Sequence, residues 1–129
     1  MSAIVFDSSA LLALLLQEPG ADRVQANLHD ACMSSVNFAE VVGFLAKRGA
    51  PEDEIRNVLG NFSLAIAPFE PNDAYRVGLL RPLAEKAGLS LGDRACLSLA
   101  RFRNIPAMTA DRAWVSVARD YGVTIHLIR

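Results

Sequence analysis

Five short apolar runs recur along this chain, separated by segments whose apolar residues fall at helical spacing, and that alternation limits the fold more than any other feature. Residues 3–6 end in Asp7-Ser8-Ser9 and lead into the apolar block 10–16, a strand, turn and helix. Pro19-Gly20 breaks the chain, and residues 21–28 place Val24 and Leu28 between charges, as a second short helix does. Residues 31–36 are the next predicted strand. From Asn37 a helix carries Val41, Phe44 and Leu45 on one face and stops at Gly49, and Pro51 opens another with Ile55, Val58, Leu59 and Phe62 inward. A third strand is predicted at 64–67, then a helix from Pro71 to Ala87 with Gly88 beyond its end. Ser90 opens a helix through Arg103 closed by Asn104, followed by a strand at 105–109, a helix from about Arg112 to Asp120, Gly122, and a last strand at 123–128. Strands alternating with helices predict an α/β fold whose parallel sheet is covered on both faces, and uniformly apolar strands agree with burial on both sides.

The chain has 129 residues without repeats, low-complexity tracts or linker-like stretches, so residues 1–129 are expected to form a single domain. A domain of this size buries roughly two-thirds of the surface its unfolded chain exposes, enough for a core without disulfides or a structural metal. The longest strictly apolar run, 10–16, is far below the ~20 residues that span a bilayer, and no basic residue precedes Arg23 to start a signal peptide. A cytoplasmic protein with no membrane partner is expected. Cys32, Cys96, His29 and His126 stand isolated, which disfavours zinc and a disulfide. The net charge of −1 argues against bulk electrostatic coating of nucleic acid. Its distribution is uneven, with four basic and ten acidic residues up to residue 75 and nine basic and four acidic beyond it. Eleven of the thirteen basic residues are Arg, the better bidentate phosphate ligand.

The sequence contains no G-x-G-x-x-G, no G-x-x-x-x-G-K, no G-x-S-x-G and no H-E-x-x-H, which disfavours dinucleotides, P-loop nucleotides and hydrolase nucleophile elbows. Four acids stand out instead. Asp7 ends the first strand, Glu40 is expected in the first turn of the helix after the second, Asp93 opens the helix before the fourth, and Asp111 follows the fourth. Each has a plainer reading, because Asn37-x-x-Glu40 and Ser90-x-x-Asp93 match a capping box and Asp111 can cap its own helix. Taken together they are harder to explain so. In an open parallel sheet the loops after the strands share one edge, which brings Asp7, Glu40 and Asp111 together and admits Asp93 if its helix begins beside that crevice. None of the four has a basic residue three or four positions away, whereas Glu52 has Arg56 and Arg81 has Glu85. Asp93 shares a helical face with Leu97 and Ala100, and Glu40 shares one with Phe44, at the edge of the buried stripe. Two carboxylates ~5 Å apart repel by roughly 3 kcal/mol at an effective dielectric of ~20, so four together require protonation or a cation. All-oxygen ligands suit Mg²⁺ or Mn²⁺, cations that also bind substrate phosphate, and a metal-assisted phosphodiester reaction follows.

On Ile4-Val5-Phe6-Asp7-Ser8-Ser9-Ala10, Asn37-Phe38-Ala39-Glu40-Val41, Leu89-Ser90-Leu91-Gly92-Asp93-Arg94-Ala95 and Thr109-Ala110-Asp111-Arg112, in that order over nearly the whole chain, the sequence resembles the PIN-domain ribonucleases, most closely the VapC-type toxins of toxin–antitoxin pairs. The resemblance implies a three-layer α/β/α domain with five parallel strands in the order 3-2-1-4-5. It also implies that Asp7, Glu40, Asp93 and Asp111 form the metal-binding and catalytic set, directly or through water. Ser8 and Thr109 match hydroxyl positions that flank the family's site and orient an acid or a water. Some relatives carry a further acid a few residues past the fourth, where this chain has Ala113 and Trp114, a departure that bears on a second metal position.

The function expected is that of a Mg²⁺- or Mn²⁺-dependent endoribonuclease serving as the toxin of a type II toxin–antitoxin pair; the resemblance implies 5′-phosphate and 3′-hydroxyl products. Arg94, Arg101 and Arg112 are candidates for holding the RNA backbone, with exposed decoration as the alternative. The apolar faces of the helices at 37–48 and 51–62 suit an antitoxin helix (VapB-like), with plain core packing as the alternative, and the family's two-fold homodimers are compatible with this sequence. Two other functions remain open: a PIN nuclease of RNA processing or of DNA, and a metal-free binding or receiver-like α/β module. The receiver is disfavoured because Asp7 is followed by Ser8 rather than a second acid, and the final Lys is Lys86.

Overall fold

Strands this short present only one or two side chains to each face, and period-two alternation sorts those side chains into two cores. A computed structural model of the chain, describing residues 2–129, holds β1 (Ile4–Phe6), β2 (Ala31–Ser34), β3 (Ala65–Ala67), β4 (Ala107–Thr109) and β5 (Ile125–Leu127). All pairings are parallel and the order is β3-β2-β1-β4-β5. Ile4 and Phe6 of β1, Met33 of β2 and Met108 of β4 face one side, while Val5, Cys32 and Ala107 face the other. On the first side they meet Leu11 and Leu14 of α1 (Ser8–Leu16), Val24 of α2 (Ala21–Asn27), Val41 of α3 (Ser35–Lys47), and Ile55 and Leu59 of α4 (Glu52–Gly60). On the second they meet Cys96, Leu97 and Ala100 of α7 (Leu91–Arg103) and Trp114 and Ala118 of α8 (Trp114–Tyr121). The short helices α5 (Pro71–Leu79) and α6 (Arg81–Glu85) complete this layer, with α5 packed on α7. The result is the three-layer α/β/α arrangement and strand order that the resemblance implies.

Several expected boundaries move, each for a local reason. The helix expected over 71–87 is two helices. Pro82 has no N–H for the Gly78 carbonyl, so the chain closes α5 with a Leu80 N–H to Val77 carbonyl bond of 3.2 Å and restarts with Pro82 in the first turn of α6. The strand expected to reach residue 36 stops at Ser34, whose hydroxyl accepts from the Val36 N–H at 3.2 Å and caps α3. Asn37 is therefore the third helical residue rather than a cap, and Glu40 lies in the second turn, not the first. The last strand begins at Ile125 because the Val123 N–H is bonded at 2.8 Å to Ala118 as α8 ends. Within 105–109 only Ala107–Thr109 join the ladder. Among the described residues no helix is long and apolar enough to cross a membrane.

Candidate active site

Every strand of a parallel sheet points its carboxyl end the same way, so the segments that follow β1, β2 and β4 meet at one edge. Asp7, directly after β1, caps α1: its Oδ1 accepts from the Ala10 N–H at 2.8 Å and from the Ser9 hydroxyl at 2.7 Å. Its Oδ2 accepts from the hydroxyl of Thr109, at the end of β4, at 2.6 Å. The side chain is 5% exposed, and burial pushes its carboxyl up from 3.8 to about 6, against the lowering effect of these hydrogen bonds; the charge of Asp93 adds to the rise. The Thr109 hydroxyl also accepts from the Asp111 N–H at 3.0 Å, and the Ser9 hydroxyl from the Ala110 N–H at 2.9 Å, so the segments after β1 and β4 are stitched together by side chains.

The other three acids converge on this point. Glu40 is exposed, and its Oε1 accepts from the Ser8 hydroxyl and, at 3.2 Å, from the Asn37 side-chain amide. Asp93 is half-buried in the first turn of α7, where it forms a reciprocal capping box: its Oδ2 accepts from the Ser90 N–H at 3.0 Å while the Ser90 hydroxyl accepts from the Asp93 N–H at 3.1 Å. Burial chiefly raises its pKa, followed by the neighbouring charges of Asp111 and Glu40. Asp111 is exposed and its Oδ1 accepts from the Ala113 N–H at 2.9 Å. The start of α7 thus lies at the same edge of the sheet, with Asp93 near enough to feel the charges of Asp111 and Glu40 and to act with its own on Asp7.

Of the expected capping roles among these three acids only that of Asp93 holds, since Ser34 caps α3 ahead of Glu40 and α8 has no side-chain cap; each of the three nonetheless commits only one oxygen. Asp93 Oδ1, Asp111 Oδ2 and Glu40 Oε2 accept no hydrogen bond among the described residues. No ion pair among the described residues involves any of the four, although Glu52–Arg56 and Arg81–Glu85 pair as their spacing suggests, at 2.8 and 3.2 Å. The donor set therefore fits a hard divalent cation: four carboxylates, three with a free oxygen, and no amine to neutralise them. As disposed here, no three Asp, Glu, His or Cys side chains among the described residues form a group that could hold one ion. Cys96 lies beneath the cluster, fully buried, and burial raises its thiol well above its ordinary range, with Asp7 and Asp93 adding to the shift.

The candidate arginines divide. Arg112 is exposed beside Asp111. Arg94 directs its guanidinium to the carbonyls of Ser90 and Val77 at 3.4 and 3.3 Å. Arg101 is eight residues further along α7, about 12 Å from Asp93, and stacks on Tyr121 at 4.4 Å. At the position of a possible fifth acid, Ala113 is exposed and Trp114 is buried in the core. Three participants escaped the sequence: Ser9, Asn37 and Gly92. The polar Asn37 inside an otherwise apolar helical face was the one available signal.

The family model of the PIN domain matches residues 4–120 of the chain. Among solved structures, the DNA-bound VapBC from Salmonella typhimurium is similar at a TM-score of 0.77 and 20% identity over 100% of both chains. A toxin–antitoxin complex from Klebsiella pneumoniae is similar at 0.70 and 16% over 98% of each chain, and FitAcB from Neisseria gonorrhoeae at 0.67 and 21% over 97% of each. No curated protein sequence matches the chain.

Proposed function

Because the chain belongs to the PIN domain family, whose nucleases are hydrolases acting on nucleic acids and generally depend on divalent metal, we propose that it is a Mg²⁺- or Mn²⁺-dependent endoribonuclease and the toxin of a type II toxin–antitoxin pair. The observation that carries this reading is the convergence of four unpaired carboxylates at the carboxyl edge of the sheet, three of them with an uncommitted oxygen. Asp7, Glu40, Asp93 and Asp111 are the residues that would hold the cation. When bound, such a cation lowers the pKa of a water and offsets charge on the scissile phosphate.

The chain's own groups prepare that site. Thr109 and Ser9 hold Asp7 by both oxygens, fixing its rotamer, and Ser8 holds Glu40. The N-terminal turns of α1 and α7 place partial positive charge behind Asp7 and Asp93, which limits the cost of crowding them. Exposure of Arg112 next to Asp111 supports a role for it in holding an RNA phosphate near the acids; Arg94 is partly engaged by backbone carbonyls, and Arg101 would contact RNA only along a longer track.

Partners follow from two surfaces. A 760 Å³ groove between α3 and α4, lined by Phe38, Val42, Ile55, Leu59, Phe62 and Leu64, supports docking of an amphipathic antitoxin helix (VapB-like), and one of the structural neighbours is itself a toxin–antitoxin complex. Tyr75, Leu79 and Phe102 form an exposed apolar patch on α5 and α7 that supports a homodimer. Residues 1–129 act as one domain in the cytoplasm. The test is cleavage of RNA by the purified chain with Mn²⁺ or Mg²⁺, its loss with EDTA, and its loss in Asp93→Asn and Asp111→Asn variants that remain folded. A chain that neither cleaves RNA nor binds either metal would be a metal-free binding module.

A further inference from the structure

Asn37 is 1% exposed, and its side-chain amide nitrogen donates to the Gly92 carbonyl at 3.0 Å and to Glu40 Oε1 at 3.2 Å, with the Ser8 hydroxyl at 3.5 Å. One NH₂ group thereby touches three elements: α3, which carries Glu40; the first turn of α7, one residue before Asp93; and the start of α1, one residue after Asp7. The orientation of this amide is dictated by its partners. A peptide carbonyl and a carboxylate are acceptors only, so the nitrogen must face them. The consequence is that Asn37 Oδ1 is turned away and buried without a partner, a cost that a residue serving only to fill the core would avoid by being apolar. Gly92 completes the arrangement from the opposite side. A Cβ at Gly92 would collide with both carboxylate oxygens and the Cδ of Glu40, so the Glu40 carboxylate lies directly over the glycine backbone. The Ser8 hydroxyl, donating to Glu40 Oε1 and 3.4 Å from the Asn37 carbonyl, holds the same carboxylate from the third element.

We propose that Asn37 is a positioning residue, working with the bare backbone of Gly92 as a spacing device that sets Glu40 against the first turn of α7 so that Glu40 and Asp93 address one reacting centre. This rests on the function proposed above only in what the centre does; the spacing itself is a property of the folded chain. The amide supplies the tether and the missing Cβ supplies the room. Asn37→Ala removes the tether, Gly92→Ala removes the room, and both displace the same carboxylate.

The experiment is a double-mutant cycle between Asn37→Ala and Glu40→Gln, read by Mn²⁺ affinity from titration calorimetry on variants shown folded by near-UV circular dichroism. A residue acting through Glu40 gives non-additive losses: Asn37→Ala weakens Mn²⁺ binding about tenfold in the wild-type background, and changes it less than twofold once Glu40 is Gln. Gly92→Ala should reproduce the loss with the Asn37 amide still present, which covers the case in which Asn37→Ala unfolds. In parallel, the side-chain NH₂ resonances of Asn37 should shift in Glu40→Gln and in Gly92→Ala without any metal. Additive losses, or Asn37 NH₂ resonances indifferent to both changes, would overturn the proposal. A wild-type chain that binds no Mn²⁺ while those resonances do respond would instead refute the metal reading and leave the spacing device established.

Discussion

Replacing Asp7 by Asn should make the folded protein more stable at neutral pH while abolishing cleavage. The carboxyl of Asp7 has a folded-state pKa of about 6 against 3.8 for the ordinary group, with burial as the main cause. Because the folded value lies above the unfolded one, the native state holds the proton more tightly, and the associated stability is fully present below about pH 4. It is lost as pH rises between about 4 and 6, amounting to about 3 kcal/mol at pH 7. Asn keeps the shape and never ionises. Its oxygen can keep the Ala10 N–H and Ser9 hydroxyl, but its NH₂ then faces Thr109, whose hydroxyl must accept instead of donate; that rearrangement costs about 1 kcal/mol. The net expectation is a gain of about 2 kcal/mol at pH 7, or roughly 5 to 10 °C in Tm. The assay is urea unfolding followed by circular dichroism from pH 4 to pH 8, with metal-dependent RNA cleavage measured on the same preparations. The advantage of Asp7→Asn should shrink as pH falls from 6 toward 4. A variant destabilised by several kcal/mol at pH 7, or a stability difference that does not change with pH, would mean that Asp7 is an ionised structural cap and would refute the reasoning.

Four further outcomes are expected. Mn²⁺ or Mg²⁺ should raise Tm and EDTA reverse it, by about 2.7 kcal/mol at a hundredfold excess over Kd. The rise should grow from pH 5 to pH 7, because the raised pKa values of Asp7 and Asp93 leave protons competing with the cation at the acid end; an indifferent melting temperature at millimolar metal would count against the acid site. Cys32 and Cys96 are both fully buried and free, so replacing both with Ala should preserve metal-dependent cleavage at some cost in stability, and loss of cleavage in a folded double variant would contradict this. Gly20 has φ +97°, and a Cβ there would collide with the Ile128 carbonyl, so Gly20→Ala should destabilise by about 2 kcal/mol in urea unfolding without altering metal affinity. Arg112→Ala should weaken RNA binding and lower the salt slope by about 1, whereas Arg101→Ala, at the far end of α7, should change neither; equal losses would place the RNA along the whole helix.

What local chemistry dictates was legible in the residues. Ser90 and Asp93 form the capping box their spacing announces, Asn104 and Gly122 end their helices with positive φ, and three of the apolar runs become the buried strands β1, β2 and β4, whereas the edge strands β3 and β5, lacking a neighbour on one side, stay partly exposed. These features depend on contacts three or four residues apart, which a sequence displays directly. Errors arose where two local signals competed. Asn37 resembles a cap, but Ser34 takes that role; Pro82 interrupts a segment whose periodicity is otherwise continuous.

The site's inner construction was decided only by the tertiary structure. Strand order places β1 beside β4, which lets Thr109 reach Asp7 across 102 positions, and sets α3 against α7 so that Asn37 meets Gly92 across 55. The sequence by itself determined that Asp7 and Asp93 stand at helix beginnings and that none of the four acids has a basic partner along its own helix, while it set Glu40 one turn too early. The raised pKa of Asp7 and the choice of which oxygen of each acid remains free came from packing, because desolvation and hydrogen-bond geometry belong to the neighbours that long-range closure brings in, and no local spacing encodes them.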